Sequence, residues 1–506
     1  MLNLEWRPAF GWSLIIVLAA ACIALFVSLQ LGFFLLLFAA LAWWVWKNPE
    51  EGFLLFLITA PLLSMFKATQ TIPTVTLIKD VIILTLFTKL FLVPACMKRL
   101  PYRRSILFAP AAMLVLWTAL ETLRADSLAL GILRSREIIL YLLFYFAVLY
   151  LSHSKDVWRR RLSWFTTSVF LTMVLAGYQW FFAADSAVLR FDPGRSIWIP
   201  RISSTFGHPS VYGEYLVAAS TLFLSAALFL VRRNERVLFM ALFLVTLPFI
   251  FLTYSRAVWI GFAAAMGVMG IVWFWKRLTS LALKQGGLSF VRRSTSPLEG
   301  EVGRQRPDEV NKNRWLLGIF GVLIIAALTV IVIRFTPAGP LLRSAFDPTY
   351  KSNEERLTFA ARLVAPMSNL DALIGRGLGD VTAQQFRRVD VGAEEITAGA
   401  SRDVQLAKDA TLVDNQYLKT FVEMGLLGLV IYFWLFWRFA KGAWKSMQYA
   451  VNSTQKVVGL WSAGFLAAFI VQALFIDIWD IFPTNAMFWI VGAAVSAALT
   501  PVVESK

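Results

Sequence analysis

Four polar stretches carry the residue types that handle phosphorylated substrates. The first, RISSTFGHPSVYGEY at 201–215, offers Arg201, His208 and Glu214. The second is TYSR at 253–256, ending on Arg256. The third lies in a long hydrophilic segment and holds Arg356, Arg362 and GRGLGD at 375–380, with Arg376 and Gly377 at its centre. The fourth is Asp414-Asn415, just ahead of the apolar helix in ATLVDNQYLKTFVEMGLLGL at 410–429. Arginine forks bind phosphate oxygens in pairs and stay charged in a partly dry site. If a lipid diphosphate is the leaving group, such arginines stabilise charge as it develops. An acceptor hydroxyl then needs a general base within hydrogen-bond reach; Asp414, His208 and Glu214 are the candidates. The two histidines stand far apart and no carboxylates are paired at ligand spacing, so metal catalysis is not indicated. No serine occupies a nucleophile elbow either.

Several of these residues also have purely structural readings. Arginines at span ends snorkel to headgroups, and His208 before Pro209 can cap the helix that follows. GRGLGD resembles a phosphate-cradling glycine loop, but no strand precedes it as a dinucleotide fold requires. A turn that allows close backbone approach accounts for it better. Asp477 and Asp480, beside Trp479, read as interface residues, and the neighbours Lys79 and Asp80 are not expected to share a helix face. Glu214 differs from these. It lies one turn inside a span, where an ionisable group costs on the order of a few kcal/mol and usually faces a cavity.

Membrane helices must position these groups. The chain has 506 residues, 58% of them hydrophobic, and a mean hydropathy of +0.66, against about 45–50% apolar residues in soluble domains. The excess falls in runs near 20 residues long, which match a hydrocarbon core of roughly 30 Å. About fourteen spans are predicted: 10–29, 31–46, 52–66, 75–94, 105–120, 137–151, 162–184, 209–231, 236–253, 256–275, 315–335, 416–437, 457–476 and 482–499. The first reads as a retained span, being long for a signal-peptide core. Cys22 and Cys96 imply no disulfide framework.

The net charge of +17 does not point to nucleic acid, because the basic residues cluster in short loops between spans. These hold Lys98, Arg99, Arg103 and Arg104; Lys155 and Arg159 to Arg161; Arg232, Arg233 and Arg236; and Arg438, Lys441 and Lys445. The bias places both termini in the cytoplasm and all four polar stretches on the other face. The expected fold is an all-α polytopic membrane protein of about 12–14 transmembrane helices, with a large periplasmic loop before the last three. Its predicted parts are N-terminal helices at 1–275, a flexible cytoplasmic linker at 276–314, one helix at 315–335, the loop with short helices at 336–413, and C-terminal helices at 414–506. Within the loop, Ser352 and Glu355 have capping-box spacing, and Leu357, Ala360, Ala361 and Val364 follow on one helical face.

In order and sidedness, RISSTFGHPSVYGEYL at 201–216, TYSRAVWIG at 253–261, GRGLGD and DNQYLKTFVEMGLLGL at 414–429 resemble the O-antigen ligase and O-antigen polymerase superfamily. The resemblance covers roughly the second two thirds of the chain. It implies a metal-independent, cofactor-free glycosyltransferase of the bacterial inner membrane that uses undecaprenyl-diphosphate-linked oligosaccharide, with membrane lipids, a flippase and a chain-length regulator as partners. Arg201 and Arg256 match the arginines expected on the diphosphate, and Arg356 is a weaker match. Asn415, Gly377 and Arg376 fall where substrate is positioned. Ligases usually carry His-Asn where this chain has Asp414-Asn415, and this departure favours a polymerase of exopolysaccharide or O-antigen-like glycan. A ligase that transfers the finished glycan is the alternative. A transporter or flippase ranks below both, since it should place ionisable groups at the midplane and show matching halves.

Overall fold

The computed structural model describes residues 29–69, 77–99, 103, 105–151, 154–183, 188–192, 197–286, 347, 351–381 and 415–499. The runs expected at 10–29 and 315–335, and Asp414, lie outside them. The protein is an all-α polytopic membrane protein, as the apolar runs predict. In a lipid core every backbone group must be satisfied within its own segment, which favours helices. The helices are α1 Leu29–Lys47, α2 Pro49–Thr69, α3 Leu77–Phe87 (continued by a π-turn and a last helical turn to Cys96), α4 Phe108–Leu123, α5 Leu128–Tyr150 and α6 Lys155–Phe182. After a hairpin come α7 Pro209–Phe229, α8 Arg233–Leu252 and α9 Arg256–Gly286. The hydrophilic loop holds α10 Lys351–Val364 and α11 Asn369–Ile374; α12 Gln416–Gln448, α13 Ser453–Gln472 and α14 Thr484–Ala498 close the chain.

Among the described residues, six helices are long and apolar enough to cross a membrane: Asp156–Phe182, Pro209–Phe229, Arg233–Leu252, Arg256–Lys276, Gln416–Gln448 and Ser453–Gln472. Shorter apolar helices occupy Gly32–Lys47, Phe108–Leu123 and Thr484–Ala498. Composition did not reveal the hairpin of β1 Val188–Asp192 and antiparallel β2 Ile197–Arg201. Nor did it show that α9 stays helical to Gly286, beyond the boundary expected at 276.

Contacts sort the helix ends into two sets. At one end Arg160 and Arg161 bind Glu51 and Glu50 at 2.6 and 2.7 Å, and Arg159 approaches Glu235 at 3.6 Å. There too Arg103 donates to the Leu149 carbonyl and Arg438 to that of Ile106. This basic end gathers the short cationic loops that the sequence sets on one side. The other end carries the hairpin, the loop helices and the described parts of the polar stretches. Between them α7 is central and almost wholly buried, packed against α8 and α13. Trp479, 1% exposed, anchors an aromatic cluster with Phe488 at 4.7 Å and Phe469 at 5.3 Å.

Two local expectations change. Lys79 Nζ lies 2.6 Å from Asp80 Oδ1, and Arg136 pairs with the same carboxylate. A lysine stem is long and flexible enough to curl back onto its chain neighbour, so helix-face geometry does not forbid the pair. The loop helix α10 forms, but begins at Lys351; the side chains of Ser352 and Glu355 are outside the described residues. It packs by Phe359 and Leu363 against Val381 and Val422, while Leu357 is exposed. Burying an aromatic ring and a leucine one turn apart removes more apolar area than the smaller alanine stripe would.

The principal departure from regular structure is in α12. Gly425 has φ 66° and ψ −171°, which breaks the apolar helix expected over this stretch. The break frees backbone acceptors at membrane depth, and the glycine loop takes them up. Arg376 N–H donates to the Val422 carbonyl at 2.9 Å and Gly377 N–H to that of Glu423 at 3.2 Å. The Trp117 indole donates to the Met424 carbonyl at 2.9 Å. Arg124 closes the other side of the loop on the carbonyls of Ile374 and Gly375. A Cβ on Gly375 would sit 2.4 Å from the Glu423 oxygen, and one on Gly425 2.4 Å from that of Leu373. Close approach therefore explains the glycines.

Gly425→Ala should lower the thermal midpoint of the detergent-purified protein. Its left-handed φ alone costs roughly 1–3 kcal/mol, and the contact with Leu373 adds to that. Gly267→Ala in α9, whose Cβ meets nothing within 4 Å, should be neutral or stabilise by up to about 1 kcal/mol. Equal midpoints for the two variants would mean the break is dispensable.

Candidate active site

At the loop-bearing end, the first two polar stretches meet. Arg201, the last residue of β2 and 8% exposed, donates from Nε to the Thr253 carbonyl at 2.8 Å. Beside it Ile202 N–H donates to the Leu252 carbonyl. Gln179 of α6 accepts from the N–H groups of Ser203 and Ser204, both at 3.0 Å, and pins the segment from below. The hydroxyls of Ser210 and Ser255 are 2.9 Å apart. Arg256 opens α9, where the helix dipole adds partial positive charge. Its Nη2 donates to Asn353 Oδ1 of α10 at 3.2 Å, and half-buried Arg356 follows one helical turn later. Ser204 and Tyr254 take left-handed φ values of 50° and 45°, a conformation that persists only where surrounding contacts impose it.

His208 is the N-cap of α7: its Nδ1 accepts from Ser210 N–H at 3.3 Å. A neutral imidazole held this way carries its proton on Nε2, so its basic lone pair is already engaged. Glu214, one turn beyond Ser210 on α7, is 2% exposed. Neither carboxylate oxygen has a hydrogen-bond partner of good geometry among the described residues. Thr484 and Asp477 are the polar side chains within electrostatic reach of it.

Asp477 leads to a second cluster, which the sequence did not single out. Arg134 of α5, 7% exposed, bonds through Nε to Glu423 of α12 at 3.2 Å and approaches Glu137 at 3.5 Å. Lys419, one turn before Glu423 and 5% exposed, lies 3.6 Å from Asp477. The start of α12 is clamped to the end of α13 and to the α13–α14 connection: Tyr417 donates to the Ile470 carbonyl and Gln416 accepts from Trp479 N–H. Lys419 and Glu423 share one helix face by their spacing of four. Ionisable residues so spaced at the head of an apolar run were the available signal. Asn415 caps α12 by accepting from Leu418 N–H at 3.0 Å. Arg376 and Asp380, 3.7 Å apart, stand on the glycine loop above, and the Gly377 N–H is bonded to Glu423 as described.

The structure thus joins Arg201, Arg256 and Asn353 in one group and Arg134, Lys419, Glu423 and Asp477 in another. In the loop, Ser368 donates from N–H and hydroxyl to Asp371 in a capping box, which holds that carboxyl below its ordinary range.

Breaking the buried Arg134–Glu423 pair should be costly. Arg134→Met or Glu423→Leu alone leaves an uncompensated buried charge and should lose roughly 3–5 kcal/mol. The double variant should recover most of that in chemical or thermal unfolding. Additive losses would show that the two side chains do not act as a pair.

No curated protein matches the chain. Residues 238–433 match the O-antigen ligase family, a stretch that takes in Arg256, Arg356, the glycine loop, Asn415 and the Gly425 break. That match and the six helices that, among the described residues, are able to span a bilayer support a multi-pass bacterial membrane enzyme of polysaccharide or O-antigen assembly, with an O-antigen ligase domain over residues 238–433.

Proposed function

We propose that the enzyme polymerises undecaprenyl-diphosphate-linked oligosaccharide units into exopolysaccharide or an O-antigen-like glycan. The observation that carries this reading is the convergence of Arg201 and Arg256 on the single turn 253–256. In this reading the loop-bearing end faces the periplasm, the protein lies in the inner membrane, and both termini are cytoplasmic. Arg201 and Arg256, supported by Arg356, hold the lipid diphosphate at headgroup depth. An acceptor hydroxyl oxygen attacks the anomeric carbon, and the bond from that carbon to the phosphate oxygen breaks. Its electron pair leaves with the lipid diphosphate, where the guanidinium groups stabilise it; no metal or cofactor takes part.

The proton of the acceptor goes to a general base. Asp414 is our choice for that base, next in the chain to the Asn415 cap. Glu214 is the second candidate and His208 the third, since the helix cap engages its Nδ1. Asn415, Arg376 and Gly377 position the sugar or the segment that holds it. The ligase reading keeps the same donor and changes the acceptor. A flippase and a chain-length regulator act with the enzyme in either case.

Arg201→Ala and Arg256→Ala proteins, present at normal levels, should each lose about 10²–10³-fold in polymer synthesis. Asp414→Asn should lose about 10²–10⁴-fold. Sizing of lipid-linked glycans separates the readings. Single repeat units accumulate in cells lacking a polymerase, whereas long glycan stays on the lipid in cells lacking a ligase. Full-length polymer from both arginine variants would sink the proposal.

A further inference from the structure

The apolar stripe that the sequence places on α10 forms, but it points away from the protein. Phe359 and Leu363 pack inward on Val381 and Val422. Leu357 and Val364, two turns apart and so on one line of the helix, are exposed, with Ala361 between them exposed as well. Leu357 is 58% exposed, and on α11 Leu370 is 60% and Leu373 45% exposed. The two loop helices thus carry a second apolar face that, among the described residues, nothing covers. Aligned apolar side chains of this kind mark a contact surface, where single scattered ones would not.

The level of that face in the bilayer follows from α12. Exposed apolar side chains on α12 begin at Leu426 and continue through Val430, Phe433 and Trp437 toward the basic end. Counting a hydrocarbon core of roughly 20 helical residues back from Arg438 and from Lys445 reaches Leu418 and Gly425. The boundary of the core at the loop-bearing end therefore falls between those two residues. Val422, on which α10 packs, lies inside that interval. The end of α11 reaches Gly425 itself, where a Cβ would sit 2.4 Å from the Leu373 carbonyl oxygen. On the other side Arg124 bonds the Ile374 and Gly375 carbonyls. That contact sets α11 beside the row of Leu116, Leu120 and Leu123 on the apolar helix α4, each more than half exposed. The exposed face of the loop helices thus continues a lipid-facing row at the depth where the hydrocarbon ends. Arg362 is exposed on α10 too, and basic groups beside an apolar line are the pattern of helices that lie in a headgroup layer.

We propose that α10 and α11 lie in the membrane interface of the leaflet at the loop-bearing end. Leu357, Val364, Leu370 and Leu373 sink among the first acyl carbons of phospholipid, and Arg362 stands at the phosphates. The consequence is positional. Asn353, which accepts the Arg256 hydrogen bond, and Arg356 ride on a helix that lipid holds at headgroup level. The inference rests on packing and exposure, and it stands whether or not Arg201 and Arg256 hold a diphosphate.

The test is fluorescence quenching of the full-length protein in phospholipid nanodiscs. Cys22→Ser and Cys96→Ser remove the native thiols, and Leu357→Cys, Leu370→Cys or Leu120→Cys adds one that carries bimane. Phospholipid brominated near the top of its acyl chains quenches a label that touches lipid, and iodide quenches one that stands in water. The labels at 357 and 370 should each lose to brominated lipid roughly half or more of what the label at 120 loses, and little to iodide. Quenching by iodide and not by lipid at either position places the stripe in water and overturns the proposal. Protection from both quenchers means that protein covers the stripe, and overturns it equally. A label at 120 that brominated lipid leaves untouched removes the lipid-facing row and the proposal with it. Two positions on separate helices keep the result decisive should one labelled variant not fold.

Discussion

A helix that breaks inside a membrane must find partners for the backbone groups it releases, and much of the loop-bearing end follows from how this chain meets that demand. Gly425 ends the regular path of α12, and the carbonyls of Val422, Glu423 and Met424 take donors from Arg376, Gly377 and Trp117. Those donors come from a loop some fifty residues earlier and from α4. The clasp therefore ties the hydrophilic loop to the bundle core, and no element of it can move far while the carbonyls stay satisfied. It also fixes where Glu423 stands, which in turn fixes Arg134.

Charge follows from that placement. A guanidinium as buried as Arg134 is tolerated only with close carboxylates and good geometry, and it has Glu423 and Glu137. Lys419 would repel it without Asp477 on its other side. At the turn 253–256 the contacts include those of Arg201 with the Thr253 carbonyl and of Arg256 with the Asn353 amide, and the Ser210–Ser255 hydroxyl pair ties α7 to the turn.

Most of the architecture was legible in the sequence because apolar run length and loop charge are direct consequences of the bilayer. The convergence of 201–215 with 253–256 was legible too, through sidedness: alternating spans leave few segments at each face. What was hidden depended on tertiary partners. Nothing local distinguishes Gly425 from the helical glycines at 267 and 270, since the break exists only because the 375–380 loop occupies it. Arg134 was obscured by its distance from Glu423, 289 residues along the chain. Lys419 and Glu423 could have been found by asking why two charges share one face of an apolar helix.

The glycine loop shows how the same motif separates the two kinds of inference. Read alone, GRGLGD suggests an anion cradle, because successive N–H groups in a glycine turn can converge on one ligand. In the fold, the N–H groups of Arg376, Gly377 and Leu378 already bond the carbonyls of Val422, Glu423 and Glu121. A cradle whose donors are occupied by protein cannot also hold a phosphate without opening the helix break beneath it. In the proposed function, the loop would act through the side chains it presents, Arg376 foremost, or through the helices it fastens. Its glycines serve the approach of one backbone to another, as the 2.4 Å that would separate a Gly375 Cβ from the Glu423 oxygen shows.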